Sequence, residues 1–223
     1  MKHPVRVMEK NYDPLIGSRK NFILLAHRAR TYPDFPLNDL CGAAGRWDGV
    51  ARCVNSALFI SHDLRRDTSI HIILMGPPDP SKIVTIEGRS VKYLNPDERS
   101  TVALIGKSLQ IDLKSSDPHK WISPGIYVKR GDLNTVLDSI EGNSFLLDEN
   151  GTVADKLLPS HMKDEKNMNF ILSDDRNFTD DELKAISEHI TGSLSLGPRV
   201  LHSDHSITIA HNVMDRIEGV IPL

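Results

Sequence analysis

The chain has 223 residues, 39% of them apolar and 26% charged, with a formal net charge of −3 at pH 7. Those figures bound it to an ordinary globular protein of one domain or one and a half. They exclude a membrane-spanning helix, since no run of 18 or more apolar residues occurs.

The first twenty residues mix Lys, Arg, Glu and Asp without a continuous apolar stretch. They read as a flexible extension, residues 1–20, rather than a secretory signal, and precede a folded domain spanning 21–223. Two cysteines, Cys41 and Cys53, stand without a pairing motif, so a reduced, cytoplasmic setting is the default. Charge is uneven along the chain. Residues 1–66 carry eleven Lys and Arg against six Asp and Glu, and the remaining 157 carry sixteen against twenty-four. A one-faced nucleic-acid binder shows such an asymmetry, as do many unrelated proteins.

Asn21 to Ala26 is nearly continuous in apolar residues, as a strand buried on both faces is. His27 to Asp39 holds two prolines and reads as a loop. Gly45 to His62 places Val50, Val54, Ala57, Leu58 and Ser61 at helical spacing. Ser69 to Met75 is a second buried strand, ended by Gly76-Pro77-Pro78. Ile83–Ile86 and Val91–Leu94 flank Glu87-Gly88-Arg89-Ser90 and predict a hairpin. A helix follows to about Leu109, with Asn95 as cap, Pro96 at its first position and acids in its first turn.

Ser115 to Pro124 is polar and marks the favoured internal seam. Beyond it the pattern predicts a helix at Leu133–Ile140 and strands at Ser144–Leu147 and Asn169–Leu172. A helix from Thr179 to about His189 carries the capping pair Thr179 and Glu182. A strand at Ser193–Leu196 and a closing helix from about Asp204 to Glu218 complete the chain. Strands alternating with helices predict an α/β fold, a mostly parallel sheet flanked by helices.

Three strand ends stand out: Phe145 to Gly151, Phe170 to Asp175, and Leu194 to Ser206 with its Gly197-Pro198 break. Ligands of open α/β sheets bind at such ends. A Gly-Pro break bares backbone groups for a neutral, adenine-like or amino-acid ligand, and the lysine of a phosphate loop is missing. His202 and His205, with His211 nearby, lack the carboxylate or cysteine that would complete a metal set, so no metal site is expected. Asp204 reads first as a helix cap and second as a proton-handling carboxylate. Ser173-Asp174-Asp175 fits a ligand loop or a plain turn. Arg46 and Arg52, six apart, read as solvated helix arginines on separate faces.

Several blocks occur together and in order: Ala26-His27-Arg28-Ala29, Pro33-Asp34-Phe35, Gly42-Ala43-Ala44-Gly45-Arg46 and Arg52 to His62. Gly76-Pro77-Pro78-Asp79-Pro80, Leu94 to Thr101, Ser123 to Tyr127 and Leu196 to His205 follow. In combination they resemble the archaeal tRNA pseudouridine-54 N1-methyltransferase family and its bacterial relatives over about residues 21–218. The resemblance implies a SPOUT-superfamily domain with a C-terminal deep trefoil knot, S-adenosylmethionine in the knotted pocket, tRNA as substrate and a homodimer. It implies Leu147, Ser173, Leu196, Gly197, Pro198, Arg199, Val200, Leu201 and Ser206 as cofactor-binding residues. Ser173 stands where the family often has Gly, and Ser206 where it often has Cys; contacts made through the backbone tolerate both. Arg46 is expected to stabilise the developing charge on the uracil or hold a phosphate, Asp204 to accept or orient the proton, and the basic N-terminal third to be the RNA surface. Alternatives are a different pseudouridine or uridine in RNA, or a non-catalytic RNA-binding relative.

Overall fold

The computed structural model describes residues 13–78, 80–164 and 166–219. Its sheet is built from β1 (Lys20–Ala26), β4 (Thr68–Leu74), β5 (Lys82–Glu87), β6 (Lys120–Ser123), β7 (Ile126–Arg130), β8 (Asn143–Val153), β9 (Met168–Ser173) and β10 (Gly192–Ser195). A separate ribbon joins β2 (Phe59–Ile60) to β3 (Asp63–Leu64). The helices are α1 (Trp47–Leu58), α2 (Glu98–Leu109), α3 (Leu133–Leu137), α4 (Ala154–His161), α5 (Asp180–Ser187) and α6 (Ser203–Ile217).

Strand order is β10-β8-β9-β1-β4-β5-β7-β6. The four pairings from β10 to β4 are parallel, and the three from β4 to β6 are antiparallel. The sheet is therefore α/β and mostly parallel, with an antiparallel arm. Successive residues of a strand face opposite sides, and both sides are covered. On one side Phe22, Phe170 and Phe145 lie abreast on β1, β9 and β8, with ring centroids 5.4 and 6.2 Å apart. Helices α1, α2, α4 and α6 pack over them through Val54, Ile105, Leu158 and Val213.

The other side is half apolar and half polar. Ile23, Leu25, Ile73 and Ile171 meet Val136 of α3 and Ile186 of α5. Beside them a ladder of side-chain hydrogen bonds crosses five strands. Asn169 donates to Ser144 Oγ at 3.1 Å, and Asn21 donates to Asn169 Oδ1 at 2.9 Å. His71 donates through Nε2 to Asn21 Oδ1 at 3.2 Å and lies 3.0 Å from Thr85 Oγ1 through Nδ1. Because Asn21 Oδ1 only accepts, Nε2 carries the proton and the Thr85 hydroxyl donates to Nδ1. Burial holds the His71 ring neutral, with its pKa pushed down to about 3.

Four expectations differ from the structure. Val91–Leu94 forms no strand; β5 pairs with β4 and β7 instead. The chain turns away at once, with Val91 N–H donating to Glu87 O at 2.9 Å and Tyr93 at φ +65°. The expected seam is not a boundary, because β6 runs through residues 120–123 with Trp121 opposite Tyr127. α2 is capped by Asp97, whose carboxylate accepts from Ser100 N–H, and not by Asn95. Of the expected extension, residues 1–12 lie outside the described part. Residues 13–19 pack on the domain, Leu15 fully buried among the α3-side residues.

Candidate cofactor pocket and its ion-pair strap

Because β8, β9 and β10 are parallel, their C-terminal ends open on one side, where a pocket of about 450 Å³ lies. Each end contributes by a different local device. β10 pairs with Phe145 and Leu146 of β8, then resumes at Thr152 and Val153, so residues 147–151 bow out between two paired stretches. Leu147, Asp148, Glu149 and Asn150 of that excursion line the pocket. Gly151 closes it; a Cβ there would sit 2.6 Å from Leu194 N.

β9 ends at Ser173, where Ser203 of α6 donates its hydroxyl to the Ser173 carbonyl and Ser173 Oγ donates to Arg176 O. β10 ends in Leu196 and Gly197, the latter at φ +151°, a backbone that L side chains rarely adopt. The chain then runs through Arg199, Val200 and Leu201 into α6, whose Ser203 and Ser206 complete the wall. Val200 is 78% exposed at the rim.

Eight of the nine residues expected to bind cofactor line this pocket: Leu147, Ser173, Leu196, Gly197, Arg199, Val200, Leu201 and Ser206. Pro198 does not. Asp174, read as ligand loop or plain turn, lines it too; sequence reasoning did not assign Asp148, Glu149, Asn150, Arg176 and Ser203, although all but Arg176 lie in strand-end segments it had singled out. The Ser206 hydroxyl is turned back to His202 O at 3.2 Å and the Ser173 hydroxyl to Arg176 O, so both are satisfied within the protein.

Neither Arg46 nor Asp204 lines the pocket. Arg46 precedes α1 at φ +71°, its Nε 3.0 Å from Asp48 Oδ1 and a terminal nitrogen 2.9 Å from Asp175 Oδ2. Arg52, one turn into α1, reaches Asp48 Oδ2 at 2.9 Å, Glu98 at 3.0 Å and Asp204 at 3.9 Å. The expectation of two solvated arginines on separate faces is thus corrected. Asp48 stands between them: Arg46 donates to both of its oxygens, at 3.0 and 3.4 Å, and Arg52 donates to Oδ2 at 2.9 Å. Burial works to raise the Asp48 carboxyl, and its hydrogen bonds from Arg46 and Arg52 outweigh that and hold it below the usual range.

The N-cap of α6 is His202, so Asp204 is not a cap. It lies in the first turn, where the helix dipole favours a carboxylate, and is 17% exposed. The result is a strap, Asp175–Arg46–Asp48–Arg52–Asp204, running from the turn after β9 to the start of α6, behind two walls of the pocket.

Among the described residues, most cations of the first third are paired and do not form a free basic surface. Arg65 pairs with Asp215 at 2.6 Å, Lys20 with Glu218 at 2.8 Å, and Arg30 with Asp34 at 2.7 Å. The acidic remainder of the chain supplies Asp175, Asp204, Asp215 and Glu218 to these pairs. Arg28, 43% exposed, lies 3.5 Å from Asp175 at one end of the strap. His202 and His205 stack edge to face at 5.7 Å, and His211 is buried against Ala57 O at 3.0 Å. Among the described residues no three His, Cys, Asp or Glu side chains group to hold a metal, and no helix is long and apolar enough to cross a membrane.

Residues 19–219 match the model of a family described as "Putative SAM-dependent RNA methyltransferase". A tRNA (pseudouridine(54)-N(1))-methyltransferase of Methanosarcina acetivorans is 44% identical over 207 residues, covering 91% of this chain and 95% of the relative. Enzymes of that name from Methanococcoides burtonii and Haloferax volcanii are 43% and 39% identical, each covering 88% of this chain and 96% of the relative. Among solved structures, Archaeoglobus fulgidus Nep1 bound to S-adenosylhomocysteine superposes with a TM-score of 0.60 at 15% identity. That alignment covers 89% of this chain and 98% of Nep1, and it supports the α/β fold. The chain therefore belongs to this family of S-adenosylmethionine-dependent RNA methyltransferases.

Proposed function

We propose that this protein methylates N1 of pseudouridine 54 in the T-loop of tRNA, using S-adenosylmethionine held at the ends of β8, β9 and β10. The observation that carries the substrate is the 44% identity, over nearly the whole of both chains, to a relative of that name. The pocket suits the cofactor on its own chemistry. Its volume lies in the range of small-molecule sites, and Leu172, Leu194, Leu196 and Leu201 supply apolar wall for an adenine. Asp148, Glu149 and Asp174 line it beside Arg176 and Arg199, and no lysine does. The lysine of a phosphate loop has no counterpart among these residues.

Bound there, S-adenosylmethionine supplies a methyl group on a sulfonium, an electrophile that needs no further activation. The protein's tasks are then to position the base, disperse the charge that builds on the uracil ring, and take up the N1 proton. We assign charge dispersal to Arg46 and the proton to Asp204, the two residues at either end of Asp48 and Arg52. Arg46 pairs through Nε and one terminal nitrogen with Asp48 and through the other with Asp175, which leaves a second N–H on each terminal nitrogen. Asp204 is held only loosely, 3.9 Å from Arg52 and 3.8 Å from His205. Nine residues are assigned to the cofactor: Leu147, Ser173, Leu196, Gly197, Pro198, Arg199, Val200, Leu201 and Ser206. The same reading carries a C-terminal trefoil knot, a homodimer that binds tRNA across both subunits, a cytoplasmic place of work, and residues 21–223 as the methyltransferase domain.

The decisive experiment offers labelled S-adenosylmethionine and T-arm RNA with either uridine or pseudouridine at position 54. Label entering the pseudouridine RNA alone supports the assignment. Label entering both, or another position, moves the target to a different base. Cofactor binding without any transfer supports a non-catalytic relative. In the active case Arg46→Ala and Asp204→Ala each lower turnover at least about tenfold, and wild-type rates in both would remove their roles.

A further inference from the structure

The turn after β9 supplies Asp174, Arg176, Asn177 and Phe178 to the pocket, yet it belongs neither to the sheet nor to α5. Something outside it must fix its position. We propose that His27 is a positioning residue of the cofactor pocket: its ring clips this turn to β1 and α5, and cofactor affinity depends on the clip. The inference rests on the pocket being the S-adenosylmethionine site.

His27 follows β1 directly, and its side chain is 9% exposed. Its Nδ1 lies 2.9 Å from Asp174 Oδ1, and its Nε2 lies 3.2 Å from both oxygens of Glu182. Its backbone N–H donates to Asp174 Oδ2 at 2.8 Å. Ionised carboxylates only accept hydrogen bonds. A neutral imidazole has one N–H, so either tautomer leaves a ring lone pair facing a carboxylate. Only the doubly protonated ring satisfies both partners at once.

Each partner is anchored further. Asp174 N–H donates to Leu25 O at 2.9 Å, and Asp174 Oδ1 also accepts from Arg176 N–H at 3.0 Å. Glu182 accepts from Thr179 N–H at 2.8 Å as half of the α5 capping box. One ring thus ties three segments, two of which line the pocket. The Ser173 hydroxyl lies 3.4 Å from Nδ1, and Arg28 turns instead to Asp175. Asp174 and Glu182 are the charged groups acting on the ring among the described residues.

The Asp174 hydrogen bond raises the His27 pKa above its ordinary 6.5; burial opposes it and Glu182 adds to it. For a base with a raised folded-state pKa, the stabilisation is complete below about 6.5 and fades as pH rises through the raised value. The clip is therefore closed below about 6.5 and opens as pH rises through the raised value.

Isothermal titration of S-adenosylhomocysteine into the full chain between pH 6 and 9 tests this, with thermal melts at each pH to confirm folding. Wild-type affinity should fall about fivefold or more across the window, a coupling of ordinary size. His27→Gln, neutral throughout, should bind weakly with a flat profile. Glu182→Gln keeps an acceptor for the α5 cap and should move the wild-type transition to lower pH, which keeps the test valid if the first variant unfolds. A flat wild-type profile, or a His27→Gln profile that matches wild type, overturns the clip. Failure of the wild type to bind at any pH overturns the cofactor reading and the clip with it.

Discussion

Asp48 is the residue on which most of the strap depends. Its carboxylate is shared by Arg46, which bonds both oxygens, and Arg52, which bonds Oδ2, and the two arginines reach on to the turn after β9 and the start of α6. Asp48→Asn removes the charge while nearly keeping the shape. It should cost about 1.5–3 kcal/mol, the range for hydrogen bonds to charged groups, read from urea midpoints. Turnover should fall further than stability explains, because both arginines lose their common partner. A variant with wild-type turnover would show the strap to be structural only. His71, His119 and His211 form a second residue-level set, with burial pushing their pKa values down to about 3, 3 and 4. For a base with a depressed folded pKa, the unfolded chain binds the extra proton, so stability is complete above about 6.5 and is lost as pH falls toward the folded values. Each ring then adds up to about 1.4 kcal/mol per pH unit to the slope of unfolding free energy. Urea midpoints measured from pH 7 to 4.5 should fall steeply, and less so in His71→Gln.

At the level of elements, the start of α5 was fully legible in the sequence. Thr179 and Glu182 form the reciprocal cap that their spacing announces, and Thr179→Ala should cost about 1 kcal/mol in a urea melt. A loss near zero would mean that packing alone holds α5. The buried runs of β1 and β4 were equally plain, because both faces are covered and neither strand shows alternation. What could not be read was pairing over distance. Val91 to Leu94 has a fair strand composition, but the partner of β5 lies forty residues on in β7, and nothing local says so. α4 was also missed, since its Pro159 and polar surface obscure a helix held through Ala154 and Leu158. For the site, the strand-end rule found the pocket walls, because it depends on chain direction alone. It could not find His27, whose partners lie more than a hundred positions away, or Asp48, whose two arginines reach Asp175 and Asp204 at that distance.

Across the whole molecule, much of the uneven charge among the described residues is paired internally. Cations of the first third face acids of the last, in Arg46–Asp175, Arg52–Asp204, Arg65–Asp215 and Lys20–Glu218. α6 is the hub of that closure, since it carries Asp204 and Asp215 and buries Ile207, Ala210, Val213 and Met214 against the Phe22 side of the sheet. Ending the chain at residue 202 should therefore leave that core open. The fragment should show dye-accessible apolar surface and no S-adenosylhomocysteine binding, and a fragment that melts cooperatively with ligand bound would contradict this. The β1–β9 pairing has a related effect, because Phe22 and Phe170 are neighbours in space and 148 residues apart along the chain. Such distant parallel pairing slows folding. During synthesis β1 must wait for β9 to emerge before its free edge is covered, and the turn that His27 grips appears only after β9. The pocket is then among the last features to form on the growing chain, so a ribosome-bound intermediate has no means of capturing cofactor before its final helix is made.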